Sequence, residues 1–197
     1  MSGTTYPIPV VITMMKTVIR TWSAIDTLYY YLSQLEYVNK AERNIFRVKP
    51  LSFRGDPLYL SDGTTFQKND LLLKIHLHNC TLLKEMLTIE NDVKRALYVH
   101  NRVEQSLPGL ARFVAQHPKE AEIKGVIGIT LLTRGVKKLG FEVQEIRNPI
   151  YLRIKQAYLT PMFILCHPGR NVRSKGKDLV PKFLVMSKEK LLNHYLR

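Results

Sequence analysis

Apolar side chains recur along residues 15–38 at three- and four-residue steps, through Val18, Trp22, Ile25, Leu28, Leu32 and Leu35. That spacing predicts a helix with one buried face. Tyr29, Tyr30 and Tyr31 form a stripe beside that face and read as core and rim packing. The period then shortens. FRVKPLSFRG and PLYLSDG are short strand-like runs bounded by Pro and Gly, and Ser61-Asp62-Gly63 supplies the turn chemistry of a hairpin. LLLKIHLHN alternates, with Leu71, Leu73, Ile75 and Leu77 on one face, Lys74, His76 and His78 on the other, and Leu72 as the one misfit. Asn79 stands where a helix N-cap would accept a backbone N–H, and CTLLKEML continues with helical spacing.

Residues 90–106 predict a further helix with Val93, Leu97 and Val103 on its apolar stripe. Leu107-Pro108-Gly109 is expected to interrupt it, with Pro108 in the first turn of a new helix over 108–116. KGVIGITLLT, residues 124–133, suits a central strand covered on both faces, where Gly125 and Gly128 permit close packing. Arg134 opens a short helical turn closed by Gly140, and FEVQEI returns as a strand. Asn148-Pro149 starts a helix over 149–165 with Ile150, Ile154 and Tyr158 facing inward, Phe163 as a further inward candidate, and Pro161 ending or kinking it. PKFLVMS is a last strand, and Ser187 can cap a terminal helix. The order predicts an α+β fold: a single compact domain over residues 1–197, built on a mixed β-sheet with several packed helices, and an irregular N-terminal segment at 1–14.

A chain of 197 residues with 45% apolar residues can bury a sizeable core. Cys80 and Cys166 sit in apolar stretches without a Cys-x-x-Cys pair, which suits buried thiols in a reducing compartment. The first sixteen residues have no positive charge before their apolar run and no small-x-small cleavage pattern, so export is not expected. Residues 149–168 are interrupted by Arg153, Lys155 and Pro161, so no transmembrane segment is expected and the protein reads as cytoplasmic.

The 30 Lys and Arg residues outnumber 16 Asp and Glu, and the excess is uneven. Residues 147–197 hold eleven basic residues against Asp178 and Glu189. The focus is RNVRSKGK, where Arg170, Arg173, Lys175 and Lys177 form a loop that would attract an anionic partner through its long-range potential. The plainer reading of that loop is a solvated surface segment.

His76 and His78 are about 6–7 Å apart along one strand face, since alternate residues are separated by twice the rise of roughly 3.3 Å. Both rings could reach one metal ion, Zn above all, yet a catalytic metal needs a third ligand, and the candidates are distant ones such as His167 or Asp70. No cofactor is therefore expected. The sequence has no Gly-x-Ser-x-Gly elbow, phosphate-binding loop or dinucleotide fingerprint. Thr130, Thr133 and Arg134 end the expected central strand, where ligands of sheet-based domains often collect and an arginine can hold an anion.

LYLSDGTTFQKNDLLLKIHLHN (58–79), SLPGLA (106–111), KGVIGITLLTRGVKKLGFEV (124–143) and PKFLVMSKEKLL (181–192) together resemble the YkoP-like domain family of Firmicute bacteria. The resemblance implies a domain found alone or fused to polysaccharide-deacetylase-like catalytic domains, hence a role near envelope polysaccharide and a deacetylase-like protein as a possible partner. The deacetylase Asp-Asp and His-x-x-x-His motifs do not occur in these 197 residues, so that activity is not carried over. LLLKIHLHN and TLLTRG correspond to the family pattern, which makes His76, His78, Asn79 and Arg134 candidates for a shared ligand site.

Three readings follow. The first is a non-catalytic or accessory domain that binds an anionic or saccharide ligand. The second is a small hydrolase or transferase, with His76 or His78 as base and Arg134 for an oxyanion or phosphate. The third is non-specific nucleic-acid binding through the basic C-terminal third, for which the chain has no recognised motif.

Overall fold

The computed structural model describes residues 30–31, 33–86, 88–89, 91–131, 133–166 and 179–196. The expected irregular segment 1–14, most of the first expected helix, His167 and the basic loop of Arg170, Arg173, Lys175 and Lys177 lie outside the described residues.

Among the described residues eight strands run in chain order: β1 (Glu36–Tyr37), β2 (Phe46–Ser52), β3 (Leu58–Tyr59), β4 (Thr65–Phe66), β5 (Leu71–Leu77), β6 (Ile123–Thr130), β7 (Glu142–Glu145) and β8 (Lys182–Ser187). The helices are α1 (Asn79–Met86), α2 (Asp92–Ala115), α3 (Pro149–Cys166) and α4 (Lys188–Tyr195). Six strands form one sheet in the order β1-β2-β5-β6-β8-β7, and β3 with β4 makes a separate hairpin. Among these described strands β5 and β6 are parallel, and the other pairs in the large sheet are antiparallel. The fold is thus α+β with a mixed sheet. A parallel pair needs a crossover, and α1 followed by α2 supplies it.

The sheet buries both faces against different partners. On one face Phe46, Val48, Leu73, Ile75 and Val126 pack with Leu107, Leu110, Ala111 and Val114 of α2 and Leu191 of α4. On the other, Leu72, Ile127 and Val185 pack with Leu58, Leu60 and Phe66 of the hairpin. These are called here the α2 face and the hairpin face. Leu72, the residue that broke the alternation in sequence, is fully buried beneath the hairpin. Gly125 is a glycine because its position faces Phe66: an added Cβ would collide with that ring and with the Met186 carbonyl. Side chains fasten the hairpin to the sheet edge. The Ser61 N–H donates to the Glu142 carboxylate at 3.0 Å, Gln144 Nε2 donates to the Tyr59 carbonyl at 3.0 Å, and Ser187 Oγ donates to Asp62 at 2.5 Å. Ser187 Oγ also accepts from Lys190 N–H at 3.1 Å, the expected cap of α4.

Four local expectations are corrected. The first helix does not reach residue 38. It ends where Gln34 adopts φ 51°, with Gln34 N–H bonded to the Tyr31 carbonyl and Leu35 N–H to the Tyr30 carbonyl, a Schellman-type stop that frees Glu36 and Tyr37 to pair with β2. Asn79 is the first residue of α1 rather than its cap. The His78 carbonyl accepts the N–H groups of Thr81 and Leu82, and His78 Nδ1 lies 2.9 Å from Thr81 Oγ1.

Pro108 does not break α2, which runs unbroken from Asp92 to Ala115 behind its cap Asn91. A helix-interior proline costs about 3 kcal/mol. Here Leu107, Leu110, Ala111 and Val114 are fully buried around it, and Asn44 Nδ2 donates to the Ser106 carbonyl at 2.8 Å from the neighbouring loop. Finally, Val93 and Leu97 on α2, and Ile150, Ile154 and Tyr158 on α3, are exposed rather than inward. The buried stripe of α2 lies in its second half, and α3 turns Tyr151 to the sheet, where its ring stacks on Phe183 at 6.3 Å.

Asn44 also accepts from Phe46 N–H at 2.9 Å, so this one buried amide serves a strand and a helix together. Replacing it with leucine strips the Phe46 N–H of its acceptor in the core and removes a second bond to the Ser106 carbonyl. Asn44→Leu is expected to lower stability by about 2–4 kcal/mol, seen as a shifted urea midpoint with an unchanged slope.

Candidate functional site

The antiparallel register of β2 on β5 pairs Arg47 with His76 and Lys49 with Lys74. Residues two apart share a face, so Arg47, Lys49, Lys74 and His76 form a two-by-two grid on the hairpin face. His78 continues the same row. Tyr37, opposite Arg47 in β1, extends the face beyond β2, and its ring meets that of His78 at 5.8 Å. Arg47 is buried, with its guanidinium carbon 5.5 Å from the Tyr30 ring centroid and 5.3 Å from that of Tyr37. Aromatic faces of this kind compensate a desolvated cation. Lys155 reaches the grid from α3, its ammonium 5.1 Å from the Tyr151 ring centroid.

The hairpin face is thus apolar at one end, under β3 and β4, and basic at the other. Burial and charge repulsion act together there. Burial, followed by the charges of Lys74, Lys49, Lys155 and Arg47, pushes the His76 imidazole down to about 3 from an ordinary 6.5. Burial, then Lys155 and Lys49, pushes the Lys74 ammonium down to about 8 from 10.5. Lys155 is lowered by burial and by Lys49. Among the described residues no carboxylate forms an ion pair with Lys49, Lys74 or Lys155, whereas Asp70, Asp92, Glu42, Glu85, Glu120, Glu142 and Glu145 pair with other cations.

His76 and His78 therefore do share a face, as their spacing predicts, but that face is covered rather than open: both rings are half-buried. Asn79 adjoins them as the start of α1. Thr130 does not join them. It pairs with Lys182, two positions beyond Gly128, whose hydrogen side meets Ile75 of the α2 face, so alternation sets Thr130 on the face opposite His76. Arg134 is exposed in the following turn, and its neighbour Gly135 lies against His100 of α2, 3.2 Å from an added Cβ to the ring. The histidines and Arg134 thus flank different faces of the sheet. A neutral imidazole with so low an affinity for protons is also a weak general base near pH 7.

Metal chemistry gains no third ligand here. Among the described residues no group of three or more His, Cys, Asp or Glu side chains could hold a metal ion. Asp70 is engaged at the other end of β5, accepting from Gln67 N–H at 2.7 Å and pairing with Lys124 at 3.7 Å.

Arg47, Lys49 and Lys155 were not singled out by the sequence reading, although FRVK already alternates apolar with basic positions. Two such strands paired in register give a basic grid, and the pairing is what the sequence alone lacks.

A six-stranded mixed sheet with one apolar face and one half-basic face defines the class, an α+β domain with a cationic sheet surface. The YkoP domain family model matches residues 15–195. The chain is 37% identical over 182 residues to the "Uncharacterized protein YkoP" of Bacillus subtilis (strain 168), an alignment covering 92% of this chain and 98% of that protein. The chain belongs to the YkoP domain family. No solved structure matches it. Among the described residues no helix is long and apolar enough to cross a membrane.

Two outcomes follow from the grid. Because the folded Lys74 value is depressed, its penalty is present in full below about pH 8 and fades between 8 and 10.5 as the unfolded chain also loses the proton. Lys74→Met is expected to stabilise the protein at pH 7 by about 1–3 kcal/mol, a gain that shrinks toward pH 10.5 in urea titrations.

His76 has the same sign in a lower window. Between pH 6.5 and 3 the unfolded chain binds a proton that the folded chain refuses, so stability falls as pH falls through that range. His76→Asn should flatten the acid limb of the stability profile, removing up to about 4 kcal/mol of acid-induced loss by pH 3.

Proposed function

We propose that this YkoP domain is a non-catalytic binding module for an anionic saccharide of the cell envelope, taken up at the basic end of the hairpin face, and that it acts as an accessory to a polysaccharide-deacetylase-like protein. One observation carries the binding part: Lys49, Lys74 and Lys155 converge from two strands and a helix with no carboxylate to neutralise them among the described residues. Folding alone does not call for such an arrangement, since like charges directly opposite in a sheet are destabilising. An anion would relieve it. The envelope context rests on the family resemblance and on the missing deacetylase motifs, which leave this chain the recognition rather than the chemistry.

The hydrolase or transferase reading receives less support, because His76 and Arg134 flank different sheet faces and the imidazole is held neutral. Calorimetry at low ionic strength tests the proposal. Charged cell-wall fragments are expected to release heat on mixing with the wild-type chain and to bind Lys74→Met at least tenfold more weakly. Absence of heat with the wild-type chain, or binding that ignores the substitution, would sink it.

A further inference from the structure

We infer that the charge recognised at this site is a phosphate monoester dianion, cradled by Lys49, Lys74 and Lys155. The inference deepens the binding reading above and rests on it. Charge balance is the first argument. Lys49 and Lys74 stand directly across β2 and β5, and Lys155, its ammonium over the Tyr151 ring of α3, adds its charge to theirs. A single carboxylate offsets one of these three ammoniums, whereas a phosphate monoester carries about −1.5 to −2 charges at pH 7 and presents three strong acceptor oxygens.

Donor chemistry is the second argument. Lysine binds phosphate as a compact point charge with rotatable donors, whereas arginine offers a planar fork to carboxylate and phosphate alike. The one arginine of the grid, Arg47, is buried between Tyr30 and Tyr37, so the three lysines are the cations left to meet a ligand.

The third argument is placement. Beneath the hairpin the same face is filled by the packed side chains of Leu72, Ile127, Val185 and Phe66, so the apolar end of this face is already occupied. Compact, highly charged groups fit this surface better than lipids do.

The test compares methyl phosphate, a monoester, with dimethyl phosphate, a diester monoanion, and acetate, by calorimetry at pH 7.5 and low ionic strength. Methyl phosphate is expected to bind at least tenfold more tightly than either. Lys74→Met and Lys155→Met should each weaken it tenfold or more, while Lys68→Met, on an exposed turn, leaves it unchanged. A urea titration of each variant confirms that the fold persists. Equal binding of the three anions, no binding of methyl phosphate, or indifference to both lysine substitutions overturns the inference. If methyl phosphate fails while cell-wall fragments still bind in a Lys74-dependent way, the dianion assignment falls and the binding reading stands. If the fragments fail as well, both fall.

Discussion

The seven-residue antiparallel register between Phe46–Ser52 and Leu71–Leu77 aligns two alternating strands so that their apolar sets coincide on one side of the sheet and their basic sets on the other. Side chains repeat every second residue, so a slip of β2 by one position would turn Phe46 and Val48 away from α2 and drive Arg47 into that core. Register is therefore strongly specified by burial on the α2 face. The basic grid on the opposite face is carried along by it, and its geometry needs no stabilising contribution of its own.

That independence matters because the grid is costly. At an effective dielectric near 20, two unit charges 5 Å apart repel by about 3 kcal/mol, and partial burial adds a desolvation cost. The depressed ammonium of Lys74 and the neutral ring of His76 are the local record of both effects. Such a cost is tolerable when the rest of the domain is well packed, and the fully buried side chains on the two faces supply that packing. A surface that destabilises the free protein in an otherwise well-packed domain departs from the consistency that folding alone favours.

Periodicity in the sequence carried most of the sheet. The alternation of LLLKIHLHN and the apolar run of KGVIGITLLT read as strands because one face or both must be apolar, and Ser61-Asp62-Gly63 and Ser187 read as turn and cap because their backbone chemistry is local. The errors came where tertiary contacts override local rules. Pro108 looks like a stop until Asn44 and a buried helix face hold the segment straight through it. Ile150, Ile154 and Tyr158 have core spacing, yet α3 presents Tyr151 and Lys155 to the sheet instead. Of the candidate site, the shared face of His76 and His78 was legible from their i, i+2 spacing. Arg47, Lys49 and Lys155 were not, because which strand and which helix lie beside β5 is a matter of topology.

The two cation types in the grid also divide the work. Arg47 is immobilised: it is almost wholly buried and two tyrosine rings flank its guanidinium, so it acts as part of the scaffold and as a fixed positive field. Lysines 49, 74 and 155 are only half-buried, on flexible stems that can follow a ligand. A fixed charge at the edge with mobile charges beside it would let the field be set in advance while the contacts adapt, which lowers the reorganisation that binding an anion would otherwise require. The tyrosines connect this arrangement to the N-terminal part of the chain, because Tyr30 stands in the last described turn of the first helix and Tyr37 follows its Schellman stop. Through those two rings, the way the first helix terminates fixes where the arginine sits, and thereby its contribution to the field at His76.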